Sequence, residues 1–354
     1  MFLTLQELRY SKFKFSALTF IIFLIVFLVL FITGLANGLA NDSGSALKAF
    51  DAEYFVLQKD ADARLNRSNL TPSAWQPLKA QPNDAQLGVQ SATIQQATGK
   101  KLKTDITYFV VNPDGFLAPK IHQGQAMTAK NTAQVVVSRK LQAAGYQLGD
   151  WLVDTTSQQR FKISGFTDAT AYSHTPVIYL NTHQAQRITA NTTPQFNAVV
   201  TRQKPAQQAG YQVLTSKQVI TAIPGYAAEQ QSLYLMIGFL YVISLFVLAI
   251  FFYIMTLQKQ NDFRVLKAIG TQTSYLVGHL ITEIACLALI AIALANLAIS
   301  LISTMMPTNM PFSLTPAVQG GTSLIFLVVA ILSALLSLVQ VTKIDPISAI
   351  GGHV

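Results

Sequence analysis

Four long apolar runs constrain this chain more than any other feature. The first, Ala17 to Ala36, reads ALTFIIFLIVFLVLFITGLA and contains no charged residue. The second, Leu233 to Leu257, is also uncharged; the third, Leu276 to Ile302, carries His279 and Glu283 near its start; the fourth runs from Thr322 to Val341. About 20 apolar residues span the roughly 30 Å hydrocarbon core of a bilayer as a helix. Lipid offers backbone groups no hydrogen-bond partner, so each run must satisfy its own N–H and C=O groups by coiling. Composition agrees, because only 12% of the 354 residues are charged, half of the roughly 25% usual in soluble chains. The first run exceeds the roughly 7–15 apolar residues of a signal peptide and lacks a following A-x-A site, so it reads as a retained anchor.

The distribution of Lys and Arg orients these runs. Arg9, Lys12 and Lys14 precede the first, Lys259, Arg264 and Lys267 separate the second and third, and Lys343 follows the fourth. The connection from Ser303 to Gly321 has none. Short cytoplasmic loops collect positive charge, which places both termini and the middle loop inside. The expected fold class is therefore an α-helical membrane protein with four transmembrane helices and an extracytoplasmic α+β domain inserted between helices 1 and 2. The expected boundaries are an amphipathic cytoplasmic helix over 1–14, transmembrane helices over 15–40, 229–257, 274–303 and 322–342, and the external domain over 41–228. A cytoplasmic coupling loop or helix over 258–273, a short external loop over 304–321 and a cytoplasmic tail over 343–354 complete the chain.

The inserted segment has strand-like stretches at Thr107–Val111, Ala133–Ser138, Arg160–Phe166 and Thr175–Leu180, with a helical stretch from Ser138 to Ala144. Alternating strands and helices of this kind give an α+β domain. Thr71 to Asn83, with three prolines, reads as loop. This segment holds 18 Lys and Arg against 11 Asp and Glu, which supplies seven of the nine units of net positive charge. Nucleic acid is not needed to explain the basic balance. At the N-terminus, Phe2, Leu5, Leu8 and Phe13 alternate with basic groups, as in a helix lying on membrane lipid.

Enzymatic signatures are absent. No P-loop, H-E-x-x-H or G-x-S-x-G sequence occurs, so the chain reads as non-enzymatic, with no cofactor or resident metal of its own. A single cysteine, Cys286, excludes a disulfide framework. His279 and Glu283, at i and i+4, read either as a two-ligand metal site or as a polar pair at a helix end. His122, His174 and His183 are widely spaced and read as solvated surface groups.

Polar residues beside a membrane run are functional candidates by default. Glu229 stands ahead of the second run, after Pro224 and Gly225, where a carboxylate favours a helix N-terminus. Leu233 and Met236 follow at i+4 and i+7, on the same helix stripe, and Tyr226 precedes it. A carboxylate and a thioether beside an apolar wall could also cradle a flat hydrophobic metal complex. Gly34 and Gly38 form a small-xxx-small pattern that reads as a dimer seam or as a flexible helix end. In QKQNDFRVLKAIGTQT, residues 258–273, apolar Phe263, Val265, Leu266 and Ile269 interleave with Asp262, Arg264 and Lys267, ahead of a stop at Gly270. Such a short helix can rest on lipid or present a knob to a soluble partner.

The stretch DFRVLKAIGTQTSYLVGHLITE and the ending VTKIDPISAIGG resemble the coupling segment and the closing motif of FtsX/MacB-type permeases, the type VII ABC transporters. Within that family, EYFVLQKDADARLNRSNLT and the stretch from Ile223 to Lys259 are similar to the heme-efflux permeases. The resemblance implies a homodimeric permease in a bacterial plasma membrane, joined to two copies of a separate ATPase that binds ATP and Mg. It implies that Phe263, Arg264, Leu266, Lys267 and Gly270 couple to that ATPase. It implies export of heme taken from the membrane, with Glu229 near the iron and Tyr226, Leu233 and Met236 lining the site. The family pattern includes a methionine in the first span, and this run has none. Three readings stay open: Glu229 acts alone, Met236 substitutes, or the substrate differs. A same-fold exporter of an antimicrobial peptide, drug or lipoprotein, or a signal transmitter controlling a cell-wall hydrolase, are the competing functions.

Overall fold

The computed structural model describes residues 12–78, 84–97, 103–189, 195–306 and 310–342, with side chains described from residue 15 to 337 within them. The expected N-terminal surface helix, apart from the backbone of 12–14, and the expected tail over 343–354 lie outside these residues. In chain order the helices are α1 (Lys12–Lys48), α2 (Pro72–Leu78), α3 (Arg139–Ala143), α4 (Thr182–Ile188), α5 (Ser216–Thr221), α6 (Tyr226–Gln258), α7 (Gln260–Ala268), α8 (Thr273–Met305) and α9 (Pro316–Thr342). The strands are β1 (Tyr54–Gln58), β2 (Ala85–Gln96), β3 (Lys103–Val110), β4 (Ile121–Gly124), β5 (Gln134–Ser138), β6 (Trp151–Asp154), β7 (Arg160–Thr167), β8 (Ala171–Tyr172), β9 (Thr175–Leu180), β10 (Ala198–Thr201) and β11 (Tyr211–Thr215).

Four helices, α1, α6, α8 and α9, are long and apolar enough to cross a membrane. The chain divides into two units, one holding most of the length of these helices and one centred on residues 38–231, which include the end of α1 and the head of α6. In the helical unit, α1 buries Phe15, Leu18, Ile22, Val26 and Leu30, which recur every three to four residues on one face. They pack with Ile284, Leu287, Ala288, Ala291 and Ala295 of α8 and with Phe326, Ala330 and Ala334 of α9. The alanines let the α8 and α9 backbones approach closely, the packing that lipid-immersed helices favour. Helix α6 contributes Leu248 and Phe252 to this core. Its Leu235, Phe239, Val242, Phe246 and Ile250 remain exposed along one face.

Helix α1 is 37 residues long, roughly 55 Å at about 1.5 Å per residue. It outlasts a roughly 30 Å hydrocarbon core and continues eight residues past the expected end at 40, through the polar sequence NDSGSALK. Apolar periodicity marks only the lipid-facing part, so this extension carried no such signal.

The inserted unit is a mixed sheet with path order β11-β1-β10-β2-β3-β9-β5-β7-β4; β6 also pairs with β2 and β7, and β8 with β9. All four expected strands and the expected helix are present, as β3, β5, β7, β9 and α3. Alternation along β3 sends Tyr108 to one core with Val135, Phe161 and Ile178. The neighbouring Phe109 goes to the opposite core with Phe55, Leu87 and Tyr179. Ala46, Leu47 and Phe50 at the end of α1, and Val219, Ile220 and Ile223 ahead of α6, pack into that second core. The proline-rich stretch after Thr71 differs from the expected loop. Pro72 opens α2 at a position whose N–H needs no partner, and Trp75 meets Phe196 edge-on at 6.2 Å.

Candidate functional site

The polar extension of α1 and the head of α6 meet at a hairpin of the inserted domain. Tyr172 pairs with Thr175 across a two-residue turn, and both turn residues have positive φ, 49° at Ser173 and 64° at His174. Positive φ at both central positions is the type I′ geometry that suits the twist of paired strands. The tip docks on α1 through its backbone: Ser173 N donates to Ser43 O at 2.9 Å and His174 N to Asp42 O at 3.1 Å. Beside it, Ala171 N donates to Ser45 Oγ at 2.8 Å.

These bonds fix the His174 imidazole among charged neighbours. Nε2 lies 3.0 Å from Ser43 Oγ and 3.4 Å from Glu229 Oε2, while Nδ1 lies 3.8 Å from Asp42 Oδ2. Asp42 is in turn ion-paired with Lys140 of α3, whose pKa burial pushes below its ordinary range. The Asp42 and Glu229 side chains are 18% and 23% exposed, against 44% for His174, so the cluster is shielded on one side and open on the other. Gly225, with φ of 83°, turns the chain into α6, and this places Glu229 in the first helical turn.

The other residues singled out in the sequence fall in different surroundings. Tyr226 packs against the core of the inserted domain. Leu233 is half-buried and Met236 exposed, further along α6. Gly38 is buried. Gly34 is filled from within the chain: a Cβ there would sit 2.3 Å from the Phe312 ring, and Ser313 N donates to Gly34 O at 3.0 Å. Phe312 also caps a ladder of α1 rings, with centroids 5.8 Å from Phe31 and 6.3 Å from Phe31 to Phe27. His122 is a surface group paired with Asp168 at 2.6 Å.

The loop after α6 is helical, as α7, and ends at Gly270 with φ of 101°. Its orientation differs from a surface with Phe263 outermost. Phe263 is 2% exposed and packs on Leu276 and Leu280, with Leu266 partly buried beside it. Val265 and Ile269, at i and i+4, are the exposed apolar groups. Arg264 and Lys267 are half-buried, and Arg264 donates to Asn261 Oδ1 at 3.3 Å. Glu283 lies inside α8, beyond its first turn. It is fully buried, and both its oxygens accept from Lys259 Nζ, at 2.7 and 2.8 Å. Lys259 also lies 5.5 Å from the Phe15 ring centroid. No group of three or more possible metal ligands occurs among the described residues.

The sequence alone reads His174 as a solvated surface group and gives no signal for Asp42, Ser43 or Lys140. Glu229 and His174 are far apart along the chain, and only the docked hairpin joins them.

A family model described as "FtsX-like permease C-terminal" matches residues 234–346. The chain is 31% identical to a protein of Staphylococcus haemolyticus provisionally named hemin transport system permease protein HrtB, over 98% of each chain. It is 32% identical to the protein of the same provisional name from Staphylococcus epidermidis, again over 98% of each. Among solved structures, the periplasmic region of MacB from Actinobacillus actinomycetemcomitans is similar at 12% identity and a TM-score of 0.37, over 51% of this chain and 96% of that one.

Proposed function

The chain belongs to the FtsX-like permease family of ABC transporters, and on that premise we propose that it is the membrane subunit of a heme exporter that confers heme tolerance. Its full-length relatives carry the hemin transport name. The observation that carries the reading is Glu229: a partly exposed carboxylate at the head of a spanning helix. Below it on the same helix are half-buried Leu233 and exposed Met236 and Phe239. Protoporphyrin is flat and apolar with two carboxylates and dissolves in lipid, so a site open to the membrane suits it better than an aqueous pore. The protein works as a homodimer in a bacterial plasma membrane, with both termini and α7 in the cytoplasm and the inserted domain outside.

Energy comes from two copies of an HrtA-like ATPase, which bind ATP and Mg; this chain supplies transmission. Val265 and Ile269 of α7 face that partner. Phe263 keys α7 into α8, and the Lys259–Glu283 pair ties the α6–α7 joint to α8. A push on α7 therefore moves α6 and α8 together. Two permease states that the ATPase binds unequally then drive the cycle.

The test is heme efflux and heme-stimulated ATPase activity of the reconstituted complex, with Glu229→Ala as the perturbation. The expected result is loss of both. An ATPase indifferent to heme, in cells that tolerate heme equally with and without the transporter, overturns the reading in favour of another cargo or of a signal transmitter.

A further inference from the structure

We infer that the inserted domain binds a small organic dianion in a cavity beside the end of α1, where Lys48 and Lys120 take up its two acidic groups. The inference goes beyond the heme reading and does not rest on it. The cavity measures about 710 Å³, inside the roughly 300–1,000 Å³ range of small-molecule sites. Its walls come from the end of α1 through Asp51, the loop from Phe116 to Lys120, the end of β7 through Thr170, and Tyr179 and Arg202.

The balance of charge in these walls selects the ligand. Arg202 is committed to Asp51: Nη2 lies 2.9 Å from Oδ2, and Nε donates to the Asp51 carbonyl at 3.1 Å. Asp168 is answered by His122 at 2.6 Å and by Arg139 at 3.9 Å. Lys48 and Lys120 have no such counter-charge. Lys48 Nζ donates to the neutral amide oxygen of Asn41 at 3.4 Å, and Lys120 makes no ion pair or hydrogen bond among the described residues. Two ammonium groups without a carboxylate on one cavity repel a cation and give a neutral ligand nothing to pair with them. A ligand with two acidic groups supplies both partners through charge-assisted hydrogen bonds.

The remaining walls suit an organic body rather than a bare ion. Phe50 and Tyr179 are buried there and Phe116 is half-buried. The Arg202 guanidinium carbon lies 4.9 Å from the Phe116 ring centroid, a flat stack against which an aromatic ring can rest. Thr170 Oγ1, beside the Tyr179 phenol, makes no hydrogen bond of ordinary geometry, which leaves a donor uncommitted in the wall. An occupant spans the end of α1 and the residues leading into β8, and so braces the hairpin that docks on α1.

The test uses the full chain in nanodiscs of zwitterionic phosphatidylcholine, titrated with tetrafluorophthalate, an aromatic dianion, and read by fluorine-19 line broadening. The expected result is saturable broadening that empty nanodiscs do not give. Lys48→Gln and Lys120→Gln should each weaken binding roughly two- to fivefold, and the double variant about tenfold. Both residues are exposed, so neither change threatens the fold. Lys217→Gln removes the same charge from an exposed residue outside the cavity and should bind like the wild type. No saturable broadening, an undiminished affinity in the double variant, or an equal loss in Lys217→Gln would overturn the site and leave Lys48 and Lys120 as solvated surface groups. Inorganic phosphate that displaces the probe at equal concentration would overturn the assignment to an organic ligand. Heme enters none of these measurements, so the exporter reading stands or falls separately.

Discussion

Glu283 is fully buried, and its partner Lys259 is 14% exposed, with both carboxylate oxygens within 2.8 Å of the ammonium. Replacing Glu283 with Gln leaves a positive charge in a site built for a pair. Breaking one side of a buried ion pair typically costs about 3–5 kcal/mol, which is roughly two to four powers of ten in the folded population at about 1.4 kcal/mol per decade. At about 2–4 °C per kcal/mol, the melting temperature falls by on the order of 10 °C. The double substitution Lys259→Met/Glu283→Leu removes both charges and keeps similar volume. Such replacements are neutral or stabilising, so melting should return to the wild-type value. The assay is thermal unfolding of the chain in nanodiscs, followed by fluorescence. A Glu283→Gln variant that melts with the wild type, or a double variant as unstable as the single, refutes the reasoning that the pair is dry and interdependent.

Other substitutions separate packing from partner contact. Phe263→Ala should destabilise the chain by about 3–5 kcal/mol in the same melt, because the ring is buried. Val265→Ser and Ile269→Ser should leave melting unchanged, since both side chains are exposed, and lower ATPase association in a pull-down with the partner. Gly34→Ala should cost about 1–3 kcal/mol, because its Cβ would meet the Phe312 ring at 2.3 Å; Phe312→Leu should recover most of the loss. Burial pushes the Tyr179 phenol up to about 12 and raises those of Tyr108 and Tyr172 further. Above about pH 10 the unfolded chain releases these protons and the folded domain retains them, so stability falls as pH rises from there toward 12. Tyrosinate absorbance should therefore appear together with loss of domain structure. Independent, earlier titration of all tyrosines would refute this.

The elements that proved readable from sequence are those whose signal is local. The four spanning helices announce themselves by length and apolarity, and β5 and β9 by β-branched runs such as Val135–Val137 and Val177–Ile178. The candidate site was only half readable. Glu229 stood out because a carboxylate beside a span is conspicuous. His174 did not, because nothing in AYSHTP indicates that the turn docks on α1. Phe263 and Val265 illustrate a different limit. Both are apolar residues on one short helix, and which face turns inward depends on Leu276 and Leu280, supplied by the following helix. Gly34 reads as a seam between copies or as a flexible helix end, and nothing local in the sequence points to Phe312, far along the chain, packing against it.

Helix α6 links these separate features. It is one continuous helix, held near its first turn by the Glu229–His174 contact and followed at once by the Lys259–Glu283 pair. Between them, Leu235, Phe239, Val242, Phe246 and Ile250 leave one face uncovered by the chain. Apolar contact with lipid or with a second copy is non-directional, so sliding or tilting that face changes its free energy little. The polar contacts at the two ends are directional and lose strength steeply with distance. A displacement imposed at Lys259 is therefore resisted weakly along the helix and expressed at the directional contact of Glu229 with His174. Apolar substitutions along the uncovered face should accordingly be tolerated. Changes at Glu229, His174, Lys259 or Glu283 alter those end contacts and should lower efflux and stimulated ATPase activity of the reconstituted complex together.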